Sequence, residues 1–134
     1  MKLRVKGNAV RLRLTRPEVA RLHDAGLVEE SAEFGPDQVL VYRVRAAGDS
    51  GPVRAEFRAG TVEVTIPCDS VRAWAVSDDV AIEGQSGAMQ ILVEKDFRCL
   101  SRPESEQPDA YPNPAEARHR ADSTSSANAS SKSA

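Results

Sequence analysis

The amino-acid sequence repeats itself once, at an offset of 52 residues, and this internal similarity constrains the fold more than any other feature of the chain. Alternating apolar residues of an early segment recur in a later one, and a short run of mixed polarity recurs almost unchanged: Val10, Leu12 and Leu14 return as Val62, Val64 and Ile66, and residues 38–41 return as residues 90–93. Because two copies are too few for an open solenoid, we expect the two halves to close on each other.

Each half has the pattern strand–strand–helix–strand–strand. Alternation of polar and apolar residues around the Gly-Asn turn at residues 7–8 predicts a hairpin. The capping-box pattern of Thr15 and Glu18, with Gly26 as a stop signal, predicts the helix that follows. The second half repeats this order, and Leu22 and Trp74, at equivalent positions of the two helices, are expected to fill the core from opposite ends. We therefore predict an α+β fold, in which internally duplicated ββαββ units close into one small barrel-like sheet capped by two helices.

The composition of the chain divides it into three parts. The duplicated domain is expected to span residues 1–102, with repeats at about 1–45 and 53–96. Prolines and acidic residues then predict a proline-rich arm at residues 103–114. The Ser- and Ala-rich run at residues 115–134 buries too little apolar surface to offset its chain entropy, so we predict a disordered tail.

Several classes of protein are disfavoured by what the sequence lacks. It has no apolar run long enough to span a bilayer as a helix, which argues against a transmembrane helix and a membrane partner. No apolar segment follows the N-terminal charges, as a signal peptide would require. Cys68 and Cys99 are too few and too far apart for a disulfide framework. These observations favour a cytoplasmic protein.

The distribution of charge is strongly uneven. Residues 1–16 carry six basic side chains and no acidic one, whereas the chain as a whole has a net charge of −2. These basic residues are our candidates for contact with nucleic acid, because strand ladders of cations can neutralise phosphates: Lys2, Arg4, Lys6, Arg11, Arg13 and Arg16. The alternative is pairing with the acidic strands that follow, through Glu29, Glu30, Glu33, Glu56 and Glu63, and the balance of charge favours this alternative.

The arm supplies a second group of candidate residues. We expect Phe97, Asp109, Tyr111 and Asn113 to dock the arm or to contact a partner. Acidic residues here offer oxygen ligands for a hard cation, but they lack the regular spacing of a calcium loop, so no metal site is predicted.

Motifs for catalysis or for cofactors are missing from the sequence. Cys68 begins a predicted helix, where the pKa of a thiol can be lowered, but no histidine or second cysteine lies near it in the sequence. We therefore expect neither a cofactor nor catalytic residues, and the sequence favours a protein that is not an enzyme.

Two stretches of the sequence resemble the signature of a bacterial family of unknown function. One opens the chain and the other closes its ordered part: residues 6–15 with Val28-Glu29-Glu30, and residues 93–100 with Asp109-Ala110-Tyr111-Pro112-Asn113-Pro114. The resemblance covers about residues 1–114, and it implies no established activity.

The hairpins also resemble the AbrB-type swapped-hairpin domains, which include antitoxins. The segments that carry this second resemblance are residues 7–14 with the helix that follows, and residues 64–67 with residues 79–83. It implies two interleaved hairpin units that form one barrel. Duplicated transcription regulators of that class carry a D-x-x-x-R signature in each repeat, and neither half of this chain has it.

Together these features predict a non-catalytic binding or regulatory domain. An unknown protein is the expected partner, contacted through a sheet edge or through the arm. The alternative is a DNA-binding regulator or an antitoxin-like protein that uses the basic N-terminal hairpin.

Overall fold

The computed structural model describes residues 1–97 and 109–112. The elements follow one another as β1 (Lys2–Lys6), β2 (Ala9–Leu14), α1 (Arg16–Ala25), β3 (Leu27–Gly35), β4 (Gln38–Ala46), β5 (Arg54–Arg58), β6 (Thr61–Ile66), α2 (Cys68–Ala75), β7 (Ala81–Ser86) and β8 (Met89–Lys95). The predicted order of strands and helices is therefore present. Neither helix in these ranges is long and apolar enough to cross a membrane.

The strands form two separate four-stranded sheets, and neither closes into a barrel. Sheet A has the strand order β1-β2-β8-β7, and sheet B has the order β3-β4-β6-β5. The α+β class is thus confirmed, but the single barrel-like sheet is wrong. The reason is that each sheet ends in two strands that pair on one side only, β1 and β7 in sheet A and β3 and β5 in sheet B.

Each sheet combines hairpins from both halves of the chain. In sheet A the first hairpin joins the last one through the parallel pair β2–β8, whose register runs from Ala9↔Gln90 to Leu14↔Lys95. Sheet B is joined in the same way through the parallel pair β4–β6. Neither half of the chain therefore forms a complete sheet on its own.

The first hairpins of the two halves correspond at the offset seen in the sequence. Lys2 lies opposite Arg13 in the antiparallel pair β1–β2, and Arg54 lies opposite Thr65 in the pair β5–β6. The helices that follow begin at the same offset, with Arg16 in α1 and Cys68 in α2. In this part of the chain, the sequence similarity reflects equal positions in the fold.

The second hairpins correspond differently. The N–H of Gln90 donates to the carbonyl of Asn8, and the N–H of Val41 donates to the carbonyl of Gly60, both at 2.9 Å. Asn8 and Gly60 are related by the offset of the repeat, whereas Val41 and Gln90 are three positions closer together than that offset requires. The match of residues 38–41 with residues 90–93 is therefore displaced from the structural one, and the duplication of a common unit stays a prediction.

The core of residues 1–95 is aliphatic apart from one tryptophan. Its largest fully buried side chains include Leu12, Leu14, Leu22, Ile66 and Trp74. The predicted core roles of Leu22 and Trp74 agree with their exposed fractions of 0% and 2%. The two helices contact each other instead of closing opposite ends of a barrel, because the interleaved hairpins bring both helices together.

The start of α1 is fixed by Glu18. Its Oε1 accepts hydrogen bonds from the backbone N–H of Thr15 at 2.9 Å and from the Thr15 hydroxyl at 3.0 Å, and its Oε2 accepts one from the Met1 amine at 2.6 Å. Burial alone would raise the pKa of Glu18, but these hydrogen bonds and the nearby positive charge outweigh it and hold the pKa below its ordinary value. In α2, by contrast, Pro67 precedes the first turn without a side-chain cap.

Asp96 begins a second unit of the chain, of which residues 96–97 and 109–112 are described. Within it, the N–H of Tyr111 donates to the carbonyl of Asp96 at 2.8 Å, and the rings of Phe97 and Tyr111 contact each other with centroids 6.0 Å apart. Most of the predicted arm and all of the predicted tail lie outside the described residues.

Candidate binding groove

The outer face of sheet A presents a regular grid of side chains. Because side chains alternate between the two faces of a strand, the pairing of the four strands arranges the outward ones in rows. The first row is Lys6, Ala9, Gln90 and Gln85; the second is Arg4, Arg11, Leu92 and Glu83; the third is Lys2, Arg13, Glu94 and Ala81.

A groove of about 530 Å³ lies over the first two rows. All the side chains of those rows line it, with the cations on the β1 side and Glu83 and Gln85 on the β7 side. Ala9 leaves space between the longer side chains, and Leu92 gives the middle of the groove an apolar floor. The groove thus joins a basic wall, an apolar floor and a polar wall.

Arg13 and Glu94 of the third row form an ion pair. Arg13 Nε donates to Glu94 Oε1 at 2.5 Å, and Arg11 Nε lies 3.7 Å from the same oxygen. Glu94 is largely shielded from solvent, with 14% of its side chain exposed. One carboxylate therefore neutralises part of the charge of two arginines at this end of the face.

The basic wall of the groove consists of Arg4, Lys6 and Arg11, and only Arg11 has a counter-charge among the described residues, which is Glu94. Arg4 and Lys6 are exposed and form no ion pair with any residue in the described part of the chain. Arg4 also lies directly opposite Arg11 in the antiparallel pair β1–β2. Like charges in this arrangement destabilise a sheet, and an anionic ligand would relieve the repulsion.

Two of the acidic residues expected to pair with the basic hairpin, Glu29 and Glu63, pair with arginines of β4 instead, whereas Glu30 lies 3.3 Å from the Met1 amine. Arg43 Nε lies 2.9 Å from Glu29, and Glu63 lies 3.5 Å from Arg43 and 3.1 Å from Arg45. These pairs cross the outer face of sheet B. For Arg11 and Arg13, the partner is instead Glu94 of β8.

The remaining candidate residues do not belong to the strands of sheet A. Arg16 is the first residue of α1. Phe97 and Tyr111 form a parallel β-bridge with each other, and Asp109 lies in a turn. Asn113 lies outside the described residues.

Within residues 1–97 and 109–112, no group of three or more metal-binding side chains comes together. Cys68 is half-buried at the start of α2, and Cys99 lies outside the described residues. A smaller cavity of about 240 Å³ lies beside Arg43 and Glu63 on sheet B, where these two side chains already pair with each other. The groove of sheet A is therefore the candidate site.

Half of the groove was missed at the level of sequence. The residues concerned belong to the last hairpin: Glu83, Gln85, Gln90 and Leu92. Alternation in residues 89–94 does place Gln90 and Leu92 on one face of a strand. The pairing of that strand with β2, which brings the two halves of the groove together, has no local signature.

Comparison with known proteins gives a family and no activity. No curated protein and no solved structure matches the chain. A family model described as a family of unknown function, DUF7009, matches residues 1–115. This confirms the expected membership of a family of unknown function: the chain belongs to the DUF7009 family.

Proposed function

We propose that this protein is a non-catalytic binding module that holds an acidic segment of a partner protein in the groove of sheet A. The observation that carries the proposal is the unneutralised basic wall, in which Arg4 and Lys6 form no ion pair with a described residue. A carboxylate that accepts hydrogen bonds from an arginine forms one of the stronger polar contacts available to a protein surface.

The mixed character of the groove suits a peptide. Leu92 offers apolar contact area, and the amide of Gln90 offers both a donor and an acceptor to a peptide backbone. Arginine is enriched in protein interfaces, and polar groups usually surround their apolar centre. The groove combines these features within two rows of one sheet.

Duplex DNA is the second candidate ligand. The favourable observation is that Lys2, Arg4, Lys6, Arg11 and Arg13 share one exposed face of a sheet. Glu83 opposes this candidate, because it stands on the same face and would repel a phosphate. The net charge of −2 also gives the chain no general attraction for nucleic acid.

The test measures the fluorescence anisotropy of two labelled probes, an acidic peptide and a random-sequence duplex DNA, with the full chain over a series of salt concentrations. We expect the peptide to bind and its affinity to fall moderately as salt screens the basic wall. Tighter binding of DNA, with a steep dependence on salt, would replace the proposal by the second candidate.

A matched pair of variants locates the binding surface. Lys6 and Arg58 are related by the offset of the repeat and end equivalent strands, β1 in sheet A and β5 in sheet B. Lys6→Glu should weaken peptide binding by roughly tenfold, or about 1.4 kcal/mol. Arg58→Glu changes the net charge equally and should leave binding within about twofold. Equal losses in both variants would contradict the groove as the site.

A further inference from the structure

We infer that the groove selects an extended peptide with an acidic residue at one position, an apolar residue two positions along and a basic residue two positions further. This inference rests on the proposed function and names the ligand that the groove would take. It follows from the order of side chains in the second row, where Arg4 and Arg11 are followed by Leu92 and then by Glu83.

The spacing of the row is set by the sheet. Neighbouring strands lie about 4.8 Å apart, so Leu92 on β8 lies about 7 Å from the midpoint between Arg4 and Arg11. Glu83 on β7 lies about 12 Å from the same midpoint. The second row therefore presents positive charge, then apolar surface about 7 Å away, then negative charge about 5 Å further.

An extended peptide that crosses the strands has the matching spacing. Each residue advances about 3.3 Å and side chains alternate, so every second side chain faces the sheet at intervals of about 7 Å. A carboxylate between the two arginines then places the next facing side chain over Leu92. The following one, about 13 Å from the first, lies at Glu83.

Glu83 decides between this ligand and a purely acidic one. Its carboxylate forms no ion pair with a residue in the described ranges, and it stands on the polar wall of the groove. A lysine or arginine of the ligand would supply the missing counter-charge. A second acidic residue at that place would meet a like charge, which raises the free energy of the complex.

The first row accommodates the ligand beside these contacts. Ala9 leaves room for a peptide backbone between Lys6 and the glutamines of β8 and β7. Gln85 uses its amide N–H to reach the carbonyl of Gly87 at 3.3 Å, whereas the amide of Gln90 remains available for the peptide. The row thus adds hydrogen bonding without adding a charge on the β7 side.

The experiment compares three peptides with acetylated and amidated ends, so that only side chains carry charge. Their central sequences are Glu-Thr-Val-Thr-Lys, Glu-Thr-Val-Thr-Glu and Lys-Thr-Val-Thr-Lys, and their affinities for the full chain are measured by fluorescence anisotropy. We expect the first peptide to bind at least about fivefold more tightly than the second, because only the first brings opposite charges together at both ends of the second row. The third peptide should bind weakest, because its first lysine meets Arg4 and Arg11.

Charge reversal of Glu83 supplies the decisive comparison. Glu83→Lys should exchange the order of the first two peptides, since the β7 wall then favours a carboxylate. Glu56→Lys changes the net charge equally on the outer face of sheet B and should leave the order unchanged. Circular dichroism melts check that both variants fold. If Glu83→Lys does not fold, Glu83→Gln takes its place, and it should abolish the preference for the first peptide over the second.

The two proposals fail in different ways. Equal affinity of the first two peptides for the wild-type chain would overturn the inference while leaving the proposed function intact. If neither acid-bearing peptide binds at low salt, the proposed function itself is contradicted. An unchanged order of affinities in Glu83→Lys would also overturn the inference, because the second row would then not set the preference.

Discussion

The outer faces of the two sheets share a plan but differ in their balance of charge. In each, a parallel strand pair brings two arginines to one glutamate: Arg11 and Arg13 to Glu94 in sheet A, and Arg43 and Arg45 to Glu63 in sheet B. The face of sheet B carries as many acidic as basic side chains, whereas that of sheet A carries five basic and two acidic ones.

This difference distinguishes the charged side chains that form ion pairs in both sheets from the additional cations of sheet A. Equivalent positions in the first hairpins of the two halves hold Arg4 and Glu56 on the edge strands, and Arg11 and Glu63 on the strands that form the parallel pairs. One carboxylate between two guanidinium groups is common to both sheets. Arg4 and Lys6 of β1 form no ion pair with a described residue, which is why we assign these two cations to a ligand.

The largest expected effect is a loss of stability from truncating the core side chain of either helix. Trp74→Ala should lower the free energy of unfolding by about 3–5 kcal/mol and Leu22→Ala by about 2–5 kcal/mol, since both side chains are fully buried. Urea unfolding followed by circular dichroism measures both losses, because Trp74 is the sole tryptophan and its fluorescence is lost in the variant.

Trp74→Phe is the control for this comparison. It keeps most of the buried ring and removes an indole N–H that has no hydrogen-bond partner among the described residues. We expect it to lose less than half of what Trp74→Ala loses. A loss from Trp74→Ala below that from an exposed substitution such as Arg21→Ala would show that α2 does not contribute equally to the core.

A smaller loss of stability is expected from substitutions in the first turns of the two helices. Glu18→Gln should cost about 1 kcal/mol at pH 7, since it weakens the contacts that fix the first turn of α1. Ser70→Ala, at the equivalent place in α2, should cost less than about 0.5 kcal/mol because it breaks no comparable cap.

The pH dependence of Glu18→Gln follows from the lowered pKa of the carboxyl. A group whose folded pKa lies below its unfolded value of 4.5 stabilises the fold above that value and ceases to do so as the pH falls through the folded pKa. Thermal melts should therefore show the cost of Glu18→Gln shrinking below about pH 4.5. A cost that stays constant down to pH 2 would contradict the carboxylate's role.

The smallest loss of stability is expected from neutralising the glutamate that pairs with two arginines in each sheet. Glu94→Gln and Glu63→Gln should each cost about 0.2–1 kcal/mol, with the larger value for Glu94 because Arg11 and Arg13 then stand uncompensated beside further cations. Glu94→Gln should also strengthen the binding of an acidic peptide, and Glu63→Gln should not. Anisotropy titrations of the two variants measure this, and equal responses would place the ligand elsewhere.

Local patterns in the sequence predicted local structure well. The capping residues Thr15 and Glu18 mark the start of α1, and alternation around residues 7–8 marks the first hairpin. The buried roles of Leu22 and Trp74 also followed from their spacing on the helices. Each of these features depends on neighbours a few residues away, so a short window of sequence contains its cause.

Pairing between distant strands could not be read in the same way. The alternation that identifies β8 is equally compatible with any partner strand, so neither the pair β2–β8 nor the contact of Arg13 with Glu94 was predicted. The barrel was wrong for the same reason, because closure depends on which edges pair. The groove was only half predicted, since its basic wall lies on one hairpin and its polar wall on another.

Because each sheet combines hairpins from both halves of the chain, the two sheets can form at different stages of synthesis. All strands of sheet B come from residues 27–66, so they can pair while the chain is still being made. Strand β2 ends at Leu14 but waits for β8, which ends at Lys95, and pairing over such a separation is slow because a long loop must close first. The groove therefore forms last, and a nascent chain cannot bind the proposed peptide before β8 has been synthesised.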